Sequence, residues 1–319
     1  MLDWFWELTL GNQLLELLYA IMGLIAVYTG VKNLRDEENP HPVGTCVFWS
    51  ALGVIFLVGK LLTENFTWGA TAIGALVVLM ALPAMLGQVS GGKNDAPTEQ
   101  ETMERFRAIG VKIFLPALGI GVFALCFALF TEINALVGVG AGVLVGIGMV
   151  MAFDRRNTPA VFLNDSRRLL DLMGALSMLP MLLGALGAVF TAAGVGEVIA
   201  DYVGRVIPKG NVSLGIIVFA LAMALFTMIM GNAFAAITVI TVGIGAPFVL
   251  AYGADPVLIG MVALTCGYCG TLLTPMAANF NITSVAVLEM RDRYGVIRRQ
   301  ILPAVLILLF QIAYMLLFR

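Results

Sequence analysis

The chain has 319 residues, 60% hydrophobic and 12% charged, with a mean hydropathy of +0.97, whereas an ordinary soluble domain is about 25% charged. That balance excludes a soluble globular protein and implies an all-α polytopic membrane protein whose non-lipid partner is not nucleic acid, since the formal net charge is only −2 and no long basic run occurs. Of the four cysteines, Cys46 and Cys126 sit alone in apolar runs and Cys266 and Cys269 are expected at membrane depth, so no disulfide framework is implied.

Met1-Leu-Asp-Trp-Phe-Trp-Glu lacks the basic region and small-residue cleavage site of a signal peptide, so the first apolar run is expected to be retained. A spanning helix needs about 20 mostly apolar residues, and such runs occur at 13–31, 45–62, 69–86, 113–130 and 134–153. These make a five-helix first half, 1–165, expected to act as scaffold. Between the third and fourth runs, 87–102 is polar and turn-rich. Gly138, Gly142 and Gly146 recur at four-residue spacing, which lets a neighbouring backbone approach closely; packing within the chain is favoured over a dimer seam.

Lys and Arg in short loops stay cytoplasmic. Lys32 and Arg35 follow the first run, Lys93, Arg105, Arg107 and Lys112 the third, and Arg155, Arg156, Arg167 and Arg168 the fifth. The amino terminus is therefore expected to face outward. Arg291, Arg293, Arg298 and Arg299 mark another cytoplasmic loop, leaving the carboxyl terminus outside as well. Trp4, Trp6, Trp49 and Trp68 are expected near helix ends as interfacial anchors.

The second half, 166–319, has apolar runs at 169–190, 214–230, 232–252, 257–288 and 301–318, giving about nine to ten hydrophobic segments in all. Gly194 and Gly196 interrupt one helix, after which Glu197, Asp201 and Arg205 share the face of an amphipathic interfacial piece; a solvated face is favoured over proton carriage. Gly231 and Asn232, then Gly243, Gly245 and Pro247, suggest a re-entrant hairpin at about 230–247. Thr238 and Thr241 add hydroxyls that helical Thr often satisfies on its own backbone, and Asn232 is the stronger ligand candidate because a buried amide needs several partners. At about 266–288 a broken helix is expected. There Gly270 and Thr271 can open the helix, Pro275 removes a backbone donor, and Thr274, Asn279, Asn281, Thr283 and Ser284 crowd polar groups that hydrocarbon would not tolerate. Unpaired backbone groups at membrane depth survive only inside protein or beside a wet cavity, and paired discontinuous helices are how secondary transporters build their sites. A packing-only role explains any one of these residues but explains the set less well.

Gly231-Asn-Ala-Phe-Ala-Ala, Cys269-Gly-Thr-Leu-Leu-Thr-Pro-Met-Ala-Ala-Asn-Phe-Asn-Ile and the Glu289-Met-Arg-Asp-Arg-Tyr-Gly-Val-Ile loop resemble a bacterial membrane family first described only as a domain of unknown function. Its members are assigned as one subunit of a 5-oxoproline (pyroglutamate) transporter, and the family resembles the ion transporter superfamily. The resemblance implies re-entrant hairpins and broken helices in inverted repeats, a second, smaller membrane subunit or homo-oligomer as partner, and an elevator or alternating-access cycle. One hairpin and broken-helix set is visible in this chain; its counterpart is left to the partner or to a hidden first-half repeat.

The residues themselves bear on the coupling ion. Between Asn211 and Leu288 the one charged residue is Asp255, and the sole histidine, His41, lies in the first cytoplasmic loop. Proton relays normally use buried Asp, Glu or His, so Na⁺ is expected, held by carbonyls, hydroxyls and amides with Asn232, Thr271 and Asn279 as first ligands. Half-helix N-termini would attract a substrate carboxylate. Two alternatives remain: a transmembrane thiol-redox carrier using Cys266 and Cys269, and a non-transporting structural subunit of a two-component permease. An enzyme is not expected, because metal-ligand clusters and Walker or Rossmann glycine patterns are missing from the sequence; no cofactor beyond a possible Na⁺ is implied.

Overall fold

The computed structural model describes residues 3–92, 98–205, 207–208, 210–288 and 290–319, with the backbone alone for Asp3, Trp4, Glu99, Pro180, Leu183, Asn279, Ala286 and Val287. Trp4's side chain, Lys93 and Glu289 therefore lie outside the described residues. The described chain is helical without strands and separates into two compact units, Met1–Gly174 and Ala175–Arg319. Seven of its helical stretches are long and apolar enough to cross a membrane, and a bent pair would make an eighth. It is a multi-pass membrane protein.

In the first unit, a short α1 (Asp3–Glu7) precedes α2 (Leu10–Leu34), α3 (Pro42–Asn65), α4 (Gly69–Met85), α5 (Glu99–Ile109), α6 (Phe114–Phe130), α7 (Ala135–Phe153) and α8 (Pro159–Met173). Glycine decides how closely these helices approach. A Cβ on Gly23 would sit 2.8 Å from the Gly53 carbonyl, so α2 and α3 meet backbone to backbone. The glycine stripe of α7 faces α6: a Cβ on Gly138 would lie 2.7 Å from the Phe123 carbonyl and one on Gly142 2.7 Å from Ile120 Cα. Those glycines serve packing within the chain. On the outer face of α6, Leu118, Val122, Leu125 and Leu129 are all more than half exposed at helical spacing, as a lipid-facing stripe should be.

Two first-half expectations change. Residues 98–102 open a helix, α5, because Thr98 and Glu101 form a reciprocal capping box: Glu101 N donates to Thr98 Oγ1 at 3.3 Å and Thr98 N to Glu101 Oε2 at 3.0 Å. Trp49 is fully buried and meets Phe48 edge-on at 5.1 Å, so it fills the α3 core and is no interfacial anchor. Trp6 and Trp68 are exposed.

The second unit contains α9 (Leu179–Ala192), α10 (Val195–Gly204), α11 (Val212–Met230), α12 (Ala233–Ile240), the single turn α13 (Ala246–Phe248), α14 (Pro256–Leu272), α15 (Ala278–Val287) and α16 (Gly295–Phe318). Its core joins Ile216, Phe219 and Met223 of α11 to Ile240, Ala263 and Cys266. The bend compatible with a re-entrant loop lies between α9 and α10, which meet at 67° where Gly194 adopts φ 71°. The 230–247 segment does not reverse as a hairpin: Ala233–Tyr252 runs as one 20-residue span-length stretch with a π turn at Thr241–Gly245. Its glycines serve contact instead, Gly243 facing the Gly196 carbonyl and Gly245 the Phe219 ring, while Pro247 lies in α13 directly after the π turn.

Candidate functional site

Two helix breaks meet inside the second unit. α11 ends where Gly231 turns left-handed at φ 72°, its N–H bonded to the Thr227 carbonyl at 2.7 Å, and α12 starts from Asn232. α14 ends at Leu272 and α15 starts at Ala278, leaving 273–277 between them. Thr274 ties the breaks together: its hydroxyl donates to the Met228 carbonyl at 2.8 Å and accepts from Met276 N at 3.1 Å. Gly231 in turn packs against the Met276–Ala277 backbone, so a larger residue there would clash as well as strain φ. Two helix C-termini, with partial negative charge, and two N-termini, with partial positive charge, thus share one locality.

Asn281 organises the second break. Its amide donates to the Thr271 carbonyl at 2.8 Å and the Thr274 carbonyl at 2.7 Å, which fixes the orientation of the group. The Oδ1 atom is then left buried without a hydrogen bond in a residue 1% exposed. Buried polar atoms are normally paired. The Thr283 and Thr227 hydroxyls are also buried and unpartnered, whereas Thr271 donates to the Tyr268 carbonyl at 2.7 Å. Thr227 was missed in the sequence, although its place one turn before Gly231 on an apolar helix was a usable signal.

The other expected site residues divide. Asn232 Oδ1 accepts from Phe234 N at 2.8 Å, capping α12, so its oxygen is already engaged. Thr238 is exposed and donates to the Ala235 carbonyl at 3.0 Å; it faces a cavity of about 40 Å³ shared with Thr191 and Glu197 on the bent pair and stands apart from the Asn281 contacts. Gly270 does not open the helix. It remains within α14 because a Cβ there would strike the Ala224 carbonyl, making it a close-approach point between α14 and α11. Pro275 is exposed within the break, and the Asn279 side chain lies outside the described residues. Asp255 caps α14 through Val257 N at 2.8 Å. Cys266 and Cys269 are buried, the latter's thiol 3.7 Å from Gln311 Oε1.

The family model described as a protein of unknown function (DUF979) matches residues 16–319. The chain belongs to the DUF979 family. No curated protein and no solved structure matches it.

In the first unit of this DUF979 protein lies a polar cluster that sequence reasoning did not find. Asp171, 8% exposed, accepts from Asn33 Nδ2 at 2.8 Å, and Arg167 Nε stands 3.4 Å from its other oxygen as an ion pair. Arg167 also pairs with Asp36. Asn39 donates to Asn33 Oδ1 at 3.0 Å and to the Ser90 carbonyl at 2.9 Å, and Thr45 donates to the same carbonyl at 2.8 Å. Four separate stretches of chain are clipped together this way: the end of α2, the start of α3, the segment after α4, and α8. Burial is the main cause pushing the Asp171 carboxyl up to about 6, against the lowering influence of Asn33 and Arg167. The sequence signal was one carboxylate, Asp171, inside the 169–190 apolar run.

Proposed function

We propose that this chain is a secondary active transporter, or the membrane subunit of one, that carries a small carboxylate across the bacterial inner membrane by an elevator or alternating-access cycle coupled to Na⁺. The observation that carries the reading is the junction of the two breaks, where Thr274 bridges to Met228 and the Asn281 oxygen is buried without a partner. Neutral oxygens at helix C-termini suit a monovalent cation, and the partial positive charge at the N-termini of α12 and α15 suits an acid group. The uncharged character of the locality favours Na⁺ over a proton there. The resemblance makes 5-oxoproline the first substrate to try, with a second, smaller membrane subunit as partner and the amino terminus outside. Burial of both thiols gives the redox-carrier alternative less support, since relay needs accessible sulfur.

Proteoliposomes holding the protein with its partner subunit test the reading: uptake of labelled 5-oxoproline should follow an imposed Na⁺ gradient. Thr274→Val and Asn279→Ala should abolish uptake while the protein still assembles. Uptake driven by a proton gradient alone would overturn the coupling, and full activity in both variants would remove the site. A thermal-shift panel of small acids, each with Na⁺ or K⁺, identifies the substrate, because a ligand of the folded state raises its apparent stability.

A further inference from the structure

We propose that Asp171 is a proton-binding site in the first unit, loaded from water through the mouth that Asp36 and Arg167 line. This inference stands apart from the transport reading, since it concerns the clip at the helix ends and not the broken helices.

Asp171 lies on α8, which is not among the membrane-spanning stretches. Its side chain is 0% accessible, and Oδ2 accepts no hydrogen bond, Arg167 Nε being its nearest cation at 3.4 Å. One guanidinium serves two acids there, because Arg167 also pairs with Asp36. The three groups together carry one uncompensated negative charge, and a buried uncompensated charge is costly enough that the carboxyl tends to neutralise by taking a proton. Asp171 is the deeper acid, with a fully inaccessible side chain against 16% accessible for Asp36.

The proton also has a route. Asp36 and Arg167 line an open pocket of about 720 Å³, whose wall includes Tyr28, Lys32 and Arg35. Asp36 and Arg167, the two charged groups beside Asp171, thus both border space open to solvent. The charged groups that face Asp171 are Arg167 on its own helix and Asp36 in the segment after α2; Lys32 of α2, with Arg35, Glu37 and Glu38 just beyond it, rings the mouth. From α3 and the segment after α4 come Thr45 and Ser90, neither of them charged, and His41 meets the network through its backbone N–H. The step is a simple protonation: when the Arg167 side chain swings away from Asp171 and admits water from the pocket, an O–H bond of hydronium breaks, an O–H bond forms at Oδ2, water is left behind, and Arg167 then pairs with Asp36 alone. The Asn33 hydrogen bond to Oδ1 remains.

Infrared difference spectroscopy on the purified full-length protein, titrated between acidic and alkaline pH, reads this directly. The carbonyl-stretch band of a protonated carboxyl should appear with a midpoint near 6 and should vanish in Asp171→Asn. Arg167→Gln should move the midpoint up by about one pH unit, and Asp36→Asn should move it down, because they remove opposite charges. A purely structural clip would not give shifts of opposite sign. Asn33→Ala, which removes a hydrogen bond to the ionised form, should raise the midpoint and serves as a second variant if Arg167→Gln does not fold. A band that persists in Asp171→Asn, or a midpoint that the charge variants leave in place, would overturn the proposal.

Discussion

In Met1–Gly174, α2, α3, α6 and α7 run unbroken for 17 to 25 residues and a charged cluster joins helix ends, whereas in Ala175–Arg319 the helices α12 and α15 are only 8 and 10 residues long and the polar groups around their breaks are neutral. The difference follows from what each unit does with polar atoms in an apolar chain. Charge is tolerable where it is paired and close to water, as Arg167, Asp36 and Asp171 are. Deeper in the second unit the polar work falls to hydroxyls, amides and freed carbonyls, which cost less to bury and can release a ligand again. Under the proposed function, the long rods with a charged clasp would serve as the scaffold and the short broken rods with unpaired oxygens as the binding region.

The sharpest way to break this comparison is at the clasp. Arg167→Leu leaves two partly or wholly buried carboxylates without a cation and should cost about 3 kcal/mol in detergent unfolding at neutral pH; the loss should shrink in acid, where Asp171 takes a proton. Gly231→Val attacks the other unit, adding both a positive-φ strain and a clash with the Met276 carbonyl, and should cost about 2 kcal/mol or more. Asn281→Ala unpairs the Thr271 and Thr274 carbonyls and should cost about 2 kcal/mol; an unchanged melting curve would mean the second break is not held by that amide. Asp171→Asn probes the pH behaviour. Because burial raises the folded pKa to about 6 from 3.8, the folded state holds the proton more tightly than the unfolded one. The wild type should therefore carry this stability in full below pH 3.8 and lose up to about 3 kcal/mol as pH rises through 6, a decline the Asn variant should lack. At the small end, Asp201→Asn removes an exposed ion pair with Arg205 and should change stability by less than about 0.5 kcal/mol.

Much of the helix layout was legible. The apolar runs at 134–153 and 214–230 became α7 and α11 within two residues, because long runs near 20 residues leave a chain in lipid little choice but helix. The break near Pro275 was legible for the same reason in reverse, a cluster of Thr, Asn and Pro where hydrocarbon would penalise open backbone. Gly243, Gly245 and Gly270 misled, since glycine marks a turn and a close helix contact with the same letter; only neighbours such as Phe219 and the Ala224 carbonyl tell which. The Asp171 cluster was illegible because its members come from α2, α8 and the segments after α2 and α4, more than 130 residues apart at the extremes.

The sequence alone determined that this protein is a bundle of membrane helices, how many apolar segments it has, and that two of its breaks carry polar groups, because hydropathy and backbone satisfaction act locally along the chain. Tertiary structure decided that those breaks touch through Thr274 and Met228, that Asn281 keeps an unpaired oxygen, and that Asp171 is sealed beside Arg167. Those outcomes depend on which surfaces pack together, a property of distances in space that spacing in the chain does not encode.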